Sequence, residues 1–107
     1  MEPTHVLYDE VEDDLREILS YIADDNFDAA VSMLLRFEEA FELIGGNPYV
    51  GHIRDALIRR LRFWPVGEYL VVYDPAPRPV EIVAVVHGRR GPSGLTRLLT
   101  ERHGPNA

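Results

Sequence analysis

The chain reads LRFWPVGEYLVVYDPAPRPVEIVAVV from Leu61 to Val86, and this stretch decides the fold. In its first residues, leucine and phenylalanine alternate with arginine and tryptophan, which predicts a strand from about Arg60 to Trp64 with one buried face. Two more strands are predicted at Tyr69–Tyr73 and Val80–Val86, where β-branched and aromatic residues dominate. Val80–Val86 is the most apolar of the three, so we expect it at the centre of the sheet.

Short connections between these strands determine their direction. Pro65–Glu68 is rich in turn residues, and three prolines within residues 74–79 exclude regular structure there. Parallel strands need a crossover of roughly a dozen residues or more, so the three main strands are expected to pair antiparallel. His5–Tyr8 is compatible with a short additional strand at the N-terminus.

The N-terminal half has the period of helices instead. One apolar stripe predicts a first helix from Glu10 to about Asp25. A second helix is predicted from Phe27 to Ile44, with Asn26 as its N-cap and the glycines and proline of residues 45–48 as its stop. The second helix has a seam typical of antiparallel helix pairs, formed by Phe27, Ala30, Leu34, Phe37, Phe41 and Ile44.

These elements predict an α+β fold, with an N-terminal helix hairpin packed on a small antiparallel sheet and a short C-terminal helix. Ser93 is expected to cap that last helix, and all helices are expected on one face of the sheet. Residues 1–107 are expected to form a single domain, because the chain is short and has neither repeats nor a linker. Its ends, residues 1–4 and 103–107, are expected to be loose.

Charge is distributed unevenly along the chain. The formal net charge is −7, but residues 1–50 carry 13 acidic and two basic side chains, whereas residues 51–107 carry five acidic and nine basic ones. Every basic residue is an arginine, whose planar fork suits pairing with carboxylates and phosphates. The acidic excess disfavours broad nucleic-acid binding but leaves a local arginine patch in the second half.

Composition disfavours several classes of protein. No cysteine is present, which excludes disulfides and thiolate metal sites. No segment approaches the roughly 20 apolar residues of a membrane helix, and the acidic N-terminus is unlike a secretory signal, so a cytoplasmic location is expected. The histidines are scattered, and neither GxSxG nor a phosphate loop occurs, so no metal ion or other cofactor is expected.

The remaining candidates for chemistry are arginines on and beside the predicted strands. They are Arg59, Arg60, Arg62, Arg78, Arg89 and Arg90. These side chains either form a surface for a partner or neutralise the acidic helices. His87 is the histidine next to this group, with Glu68 and Glu81 as nearby acids, and acid–base cleavage of RNA would need such groups.

Several motifs, in this order, resemble the toxins of bacterial ParE/RelE toxin–antitoxin modules, specifically the ParE branch. They are Asp14–Ile18 with Tyr21-Ile22, Asn26 with Ala29-Ala30, Asn47–Gly51, Leu61–Phe63, Pro65–Tyr73 and Val85–Arg90. The ParE-like feature is the HGRR turn, residues 87–90. The family often has an acidic residue after the two arginines, whereas Gly91-Pro92 follows here.

The resemblance implies a toxin that inhibits growth by binding DNA gyrase, without a cofactor and without sequence-specific nucleic-acid binding of its own. It also implies a ParD-like antitoxin that neutralises the toxin in a hetero-oligomer. On this interpretation the target-binding residues are Arg62, His87, Arg89 and Arg90. A groove for the antitoxin is expected where apolar side chains lie beside the internal stripes, at Tyr21, Val31, Leu35 and Trp64.

Two alternatives stay open from the sequence. RelE-like relatives cut mRNA in the ribosome, and that interpretation assigns catalysis to His87, Arg62 and Arg89. The absence of lysine disfavours it. The departure at Gly91-Pro92 also allows an inactive member of the family that only binds its antitoxin.

Overall fold

A computed structural model describes residues 2–54 and 60–103 of the chain. The elements are β1 (His5–Leu7), α1 (Asp9–Asp25), α2 (Phe27–Gly46), β2 (Arg62–Val66), β3 (Tyr69–Asp74), β4 (Val80–His87) and α3 (Pro92–His103). The predicted α+β order is therefore confirmed. Arg59 and residues 104–107, which the predictions included, lie outside the described residues. No described helix is both long and apolar enough to cross a membrane.

The four strands form one sheet in the order β1–β4–β3–β2. The β2–β3 and β3–β4 pairs are antiparallel, as the short connections predicted. β4 lies between β3 and β1, so the prediction of a central position for the most apolar strand is confirmed. The short N-terminal strand pairs parallel to β4, with His5 opposite Val80, which makes the sheet mixed.

The hairpin between β2 and β3 is tighter than predicted. The predicted turn Pro65–Glu68 is wrong in its first half, because β2 continues through Val66 and a two-residue turn follows. β2 is an edge strand. Its residue Phe63 donates its N–H to the carbonyl of His52 at 2.8 Å, on the side away from β3. Pro65 lies two residues on and faces the same way, so its missing N–H removes no bond to β3. Gly67 has a φ of +59°, as type II′ turns require.

Helices cover both faces of the sheet, so the expectation that all of them lie on one face is wrong. α1 and α2 pack on the first face, where Phe37 is fully buried. α3 packs on the opposite face through Leu95 and Leu99. In β3, Val71 faces the first layer and Val72 the second, and both are fully buried. A continuous apolar run, without alternation, is the pattern of a strand buried on both faces.

One ion pair and one histidine–carboxylate contact hold α3 against the rest of the fold. Arg102 forms a bidentate pair with Asp14 of α1, at 2.6 and 2.8 Å, and each side chain is 14% exposed. These hydrogen bonds raise the pKa of Arg102. His103 Nε2 lies 2.9 Å from Asp74 Oδ2, and the histidine side chain is 9% exposed. The expected loose end is therefore wrong at its first residue, His103, because burial and the Asp74 contact fix it.

The connection between the two N-terminal helices departs from prediction at one residue. Asn26 caps α2 as predicted, since its Oδ1 accepts the N–H of Ala29 at 3.0 Å. Phe27 was expected in the internal seam, but it is 70% exposed. It is the first residue of α2, at the tip of the hairpin, and does not join the core cluster around Phe37 and Phe41.

Replacing Asn26 with alanine is expected to lower the free energy of unfolding by about 1 kcal/mol, because the Ala29 N–H loses its capping acceptor. Urea denaturation followed by circular dichroism measures the change. Asn26→Ser, whose hydroxyl can still accept this bond, is the matched control and should keep most of the stability. An equal loss in both variants would contradict the capping role.

Candidate functional site

The turn after β4 carries two arginines, and backbone hydrogen bonds fix it. Gly88 donates its N–H to the carbonyl of Glu68 at 2.7 Å, which joins this turn to the β2–β3 connection. A Cβ at Gly88 would lie 3.0 Å from that oxygen, so the close approach favours glycine. Arg90 donates its N–H to the carbonyl of His87 at 3.1 Å. The HGRR turn is thus held at two points.

α3 begins directly after this turn. Pro92 is the first residue of the helix, and Leu95 donates its N–H to the carbonyl of Gly91 at 3.0 Å. Proline is favoured at a first helical position because its missing N–H has no helical partner there. Ser93 lies inside the first turn, so the prediction that it caps the helix is wrong. Gly91 therefore directly precedes α3, and Pro92 begins it.

His87 lies at the end of β4 beside Tyr69. The two rings pack edge to face, with their centroids 5.4 Å apart. The Nδ1 atom of His87 accepts the N–H of Arg89 at 3.1 Å, which leaves Nε2 as the ring nitrogen that can donate. Burial raises the pKa of Tyr69, and the nearby carboxylate of Glu68 adds to this. The phenol is therefore a neutral group beside the histidine.

A cavity of about 450 Å³ opens beside His87. It is lined by Glu17, Ile18, Tyr21, Glu68, Tyr69, His87 and Arg89. Arg89 and Arg90 are exposed, and neither side chain forms an ion pair within residues 2–54 and 60–103. No described carboxylate of the acidic helices therefore lies within ion-pair distance of either arginine. Both guanidinium groups are available to a carboxylate or phosphate outside the chain.

Arg62 lies at the other end of the sheet from this turn. Arg62 is the first residue of β2 and lies opposite Tyr73. His87 lies opposite Tyr69, the first residue of β3 after the β2–β3 turn. About four residues of strand, or 13 Å, separate these ends. Arg62 donates to the carbonyl of Gly51 at 2.9 Å and so holds the loop before β2. The structure does not bring Arg62 together with the arginines of the HGRR turn.

Two further candidates also lie away from His87. Arg78 donates to three carbonyl oxygens of its own proline-rich loop. Glu81 pairs opposite Asp74 near the start of β4, six residues before His87, so the expectation that it lies near the histidine is wrong. The strand register places it at the far end of the ladder. Glu68 is the predicted acid that does line the cavity with His87.

The four residues predicted to receive a partner segment line no single groove. Tyr21 is 76% exposed and lines the cavity beside His87. Val31 and Leu35 are exposed on α2 and line neither that cavity nor the one beside Trp64. Trp64 is half-buried and lines a separate depression of about 360 Å³. The structure therefore places Tyr21 with the HGRR turn and Trp64 apart from it.

An apolar stripe along α2 includes Phe27, which was not predicted as a binding residue. The stripe consists of Phe27, Val31 and Leu35, which are 70%, 43% and 53% exposed. Their spacing of four residues puts them on one face of the helix. This spacing was the signal that could have moved Phe27 from the internal seam to the surface. Contiguous exposed apolar side chains mark an interaction surface.

Comparisons with known proteins assign the chain to a family. Residues 6–92 match the family described as the ParE toxin of the type II toxin–antitoxin system, parDE. The match runs from β1 to the start of α3 and includes the HGRR turn. No significant match was found among curated proteins.

Proposed function

The chain belongs to the ParE toxin family of type II toxin–antitoxin systems, and from this premise we propose that it inhibits growth by binding DNA gyrase. A ParD-like antitoxin holds it inactive in a hetero-oligomer. In this proposal the protein acts by binding, and its side chains make and break no covalent bond.

Arg89 and Arg90 are the observation that carries the gyrase proposal. They are exposed on a turn fixed by two backbone hydrogen bonds, and neither is paired within the described residues. A fixed backbone reduces the entropy lost on binding, and arginine is enriched among the residues that dominate interface energies. Because the chain has a net charge of −7, its target contact is proposed to be with protein and not with DNA.

The apolar stripe and Tyr21 support the antitoxin part of the proposal. An amphipathic segment can place apolar anchors on such a row while its polar face stays in water. Tyr21 also borders the cavity at the HGRR turn, so a segment that covers it lies next to Arg89. This proximity offers a steric reason for neutralisation. Trp64 is proposed as a second, separate contact.

Leu35→Glu is expected to weaken antitoxin binding at least about 10-fold, because an apolar partner would have to desolvate the new carboxylate. Leu35 is 53% exposed, so the variant should fold. Calorimetric titration with the antitoxin encoded beside the toxin measures the affinity. Glu101→Gln, an exposed change on α3 at the opposite face of the sheet, is the control. Equal affinity of Leu35→Glu and the wild type would contradict the assignment of the stripe.

A second candidate is ribosome-dependent cleavage of mRNA. One observation favours it, namely that His87, Glu68 and Arg89 line one cavity. A histidine and a carboxylate can act as acid and base, and an arginine can stabilise a phosphate. Primer extension on mRNA translated in vitro with the purified chain would show cuts in phase with codons if this candidate holds.

Expression of the chain alone tests the proposed function, with growth and plasmid topology as readouts. We expect growth arrest together with relaxed plasmids, and recovery of both when the antitoxin is expressed. Growth arrest with normally supercoiled plasmids would contradict the choice of gyrase. Unimpaired growth would contradict toxicity altogether and favour an inactive member that only binds its antitoxin.

A further inference from the structure

Three side chains that are distant in sequence meet where α3 ends on the sheet. Asp74 is the last residue of β3, Glu81 is the second residue of β4 and His103 is the last residue of α3. Asp74 and Glu81 are paired across the ladder, and His103 Nε2 lies 2.9 Å from Asp74 Oδ2. One possible ligand atom from each residue lies within 4.8 Å of the other two. Sequence spacing gave no indication of this cluster.

The cluster is largely buried, and a histidine nitrogen faces its carboxylates. Asp74 is 1% exposed, and the His103 side chain is 9% exposed. His103 Nε2 faces Asp74, so Nε2 is the ring nitrogen that can act as a ligand beside the two carboxylates. The other nitrogen, Nδ1, is buried, points away from Asp74 and has no hydrogen-bond partner in the part of the chain that the structure describes. Buried carboxylates are costly without a compensating positive charge, so two of them beside an imidazole point to a bound cation.

We propose that Asp74, Glu81 and His103 bind a divalent transition-metal ion, with Zn²⁺ as the preferred ion. Two carboxylates supply the charge that a dication needs. The imidazole nitrogen favours Zn²⁺ over Mg²⁺ and Ca²⁺, which prefer oxygen ligands. With metal–ligand distances near 2.1 Å in a tetrahedral site, ligand atoms lie about 3.4 Å apart. The His103–Asp74 pair at 2.9 Å must therefore separate by about 0.5 Å, and the widest pair must approach by up to about 1.4 Å.

Two neighbouring side chains influence the strength of this site. Arg60 Nη2 lies 3.6 Å from Asp74 Oδ2, and the Arg60 side chain is 53% exposed. Its charge opposes a cation, but the side chain has room to turn toward solvent. Tyr8 donates its hydroxyl to Glu81 Oε1 at 3.1 Å and so orients that carboxylate.

Metal binding at this position is coupled to folding, because the ion joins β3, β4 and α3. At a free Zn²⁺ concentration about 100 times the dissociation constant, the equilibrium constant of unfolding should fall about 100-fold. Zn²⁺ is thus a structural ion that fastens α3 beside the Asp14–Arg102 pair. This role is separate from the proposed contact with gyrase, so each can fail without the other.

Calorimetric titration of Zn²⁺ into the chelator-treated full chain tests the site. We expect one Zn²⁺ per chain, and Mg²⁺ binding that is at least about 100-fold weaker. Glu81→Gln should weaken Zn²⁺ binding at least about 10-fold, while its amide oxygen still accepts from Tyr8. His103→Gln should do the same. Arg60→Gln should strengthen binding because it removes the opposing charge.

The control is His52→Gln, which removes an exposed imidazole outside the cluster and should leave the affinity unchanged. Circular dichroism of each metal-free variant confirms that folded chains are compared. A lack of stoichiometric Zn²⁺ binding by the wild type would overturn the proposal. Binding that survives both Glu81→Gln and His103→Gln, or that His52→Gln weakens equally, would overturn it as well.

Discussion

Replacing Asp14 with alanine is expected to lower the free energy of unfolding by about 3 kcal/mol. Asp14 and Arg102 form a bidentate pair in which each side chain is only 14% exposed. The same carboxylate accepts the N–H of Val85 in the central strand at 3.0 Å. The substitution leaves a largely buried guanidinium without its counter-charge and a strand N–H without its acceptor. Loss of a partner from such a pair costs more than the pair contributes.

Urea denaturation measures this loss, and the neighbouring residue provides the control. Asp13 pairs with Arg16 at 2.9 Å, but these side chains are 75% and 71% exposed. Solvent screens such a pair, so Asp13→Ala should change stability by less than about 0.5 kcal/mol. If Asp14→Ala and Asp13→Ala have equal free energies of unfolding, the Asp14–Arg102 pair does not anchor α3.

The double change Arg89→Ala and Arg90→Ala is expected to relieve growth inhibition. If the two arginines together contribute at least about 2 kcal/mol to target binding, their removal weakens it about 30-fold. Neither side chain has an ion-pair partner among the described residues, so the free energy of unfolding should be nearly unchanged. Antitoxin binding should stay largely intact, because its proposed anchors lie on α2 and at Tyr21. Growth in liquid culture and calorimetric titration with the antitoxin measure the two effects.

Removal of two other exposed arginines is the matched control for charge. Arg16 and Arg97 are exposed on α1 and α3, and neither lines the cavity beside His87. Arg16→Ala with Arg97→Ala changes the net charge equally and should leave growth inhibition unaffected. Undiminished toxicity of the Arg89/Arg90 variant, at equal expression, would contradict the role of the turn.

The local features of the fold were predictable because they depend on near neighbours in sequence. The helical period identified α1 and α2, the Asn26 cap separated them, and the apolar run Val80–Val86 identified the central strand. The side of the sheet that α3 covers was not predictable in this way. It depends on contacts such as that between Asp14 and Arg102, which are 88 residues apart. No periodicity in either helix encodes that pairing.

In the candidate site, too, contacts between near neighbours in sequence were predictable and contacts between distant residues were not. His87, Arg89 and Arg90 lie within four consecutive residues, so a single turn brings them together. Arg62 and Glu81 were associated with them through membership of neighbouring strands, but register decides which end of a strand a residue occupies. Both lie at the far end. The cluster of Asp74, Glu81 and His103 was not predictable from the sequence either, because its side chains meet only after β3, β4 and α3 have assembled.

Supercoiling of relaxed plasmid by purified gyrase measures the proposed inhibition of gyrase without other cell components. The purified chain should inhibit supercoiling in proportion to its concentration, and the Arg89/Arg90 variant should need about 30-fold more protein. Added antitoxin should restore supercoiling. Full supercoiling at every concentration of a folded chain that arrests growth in cells would contradict gyrase as the target.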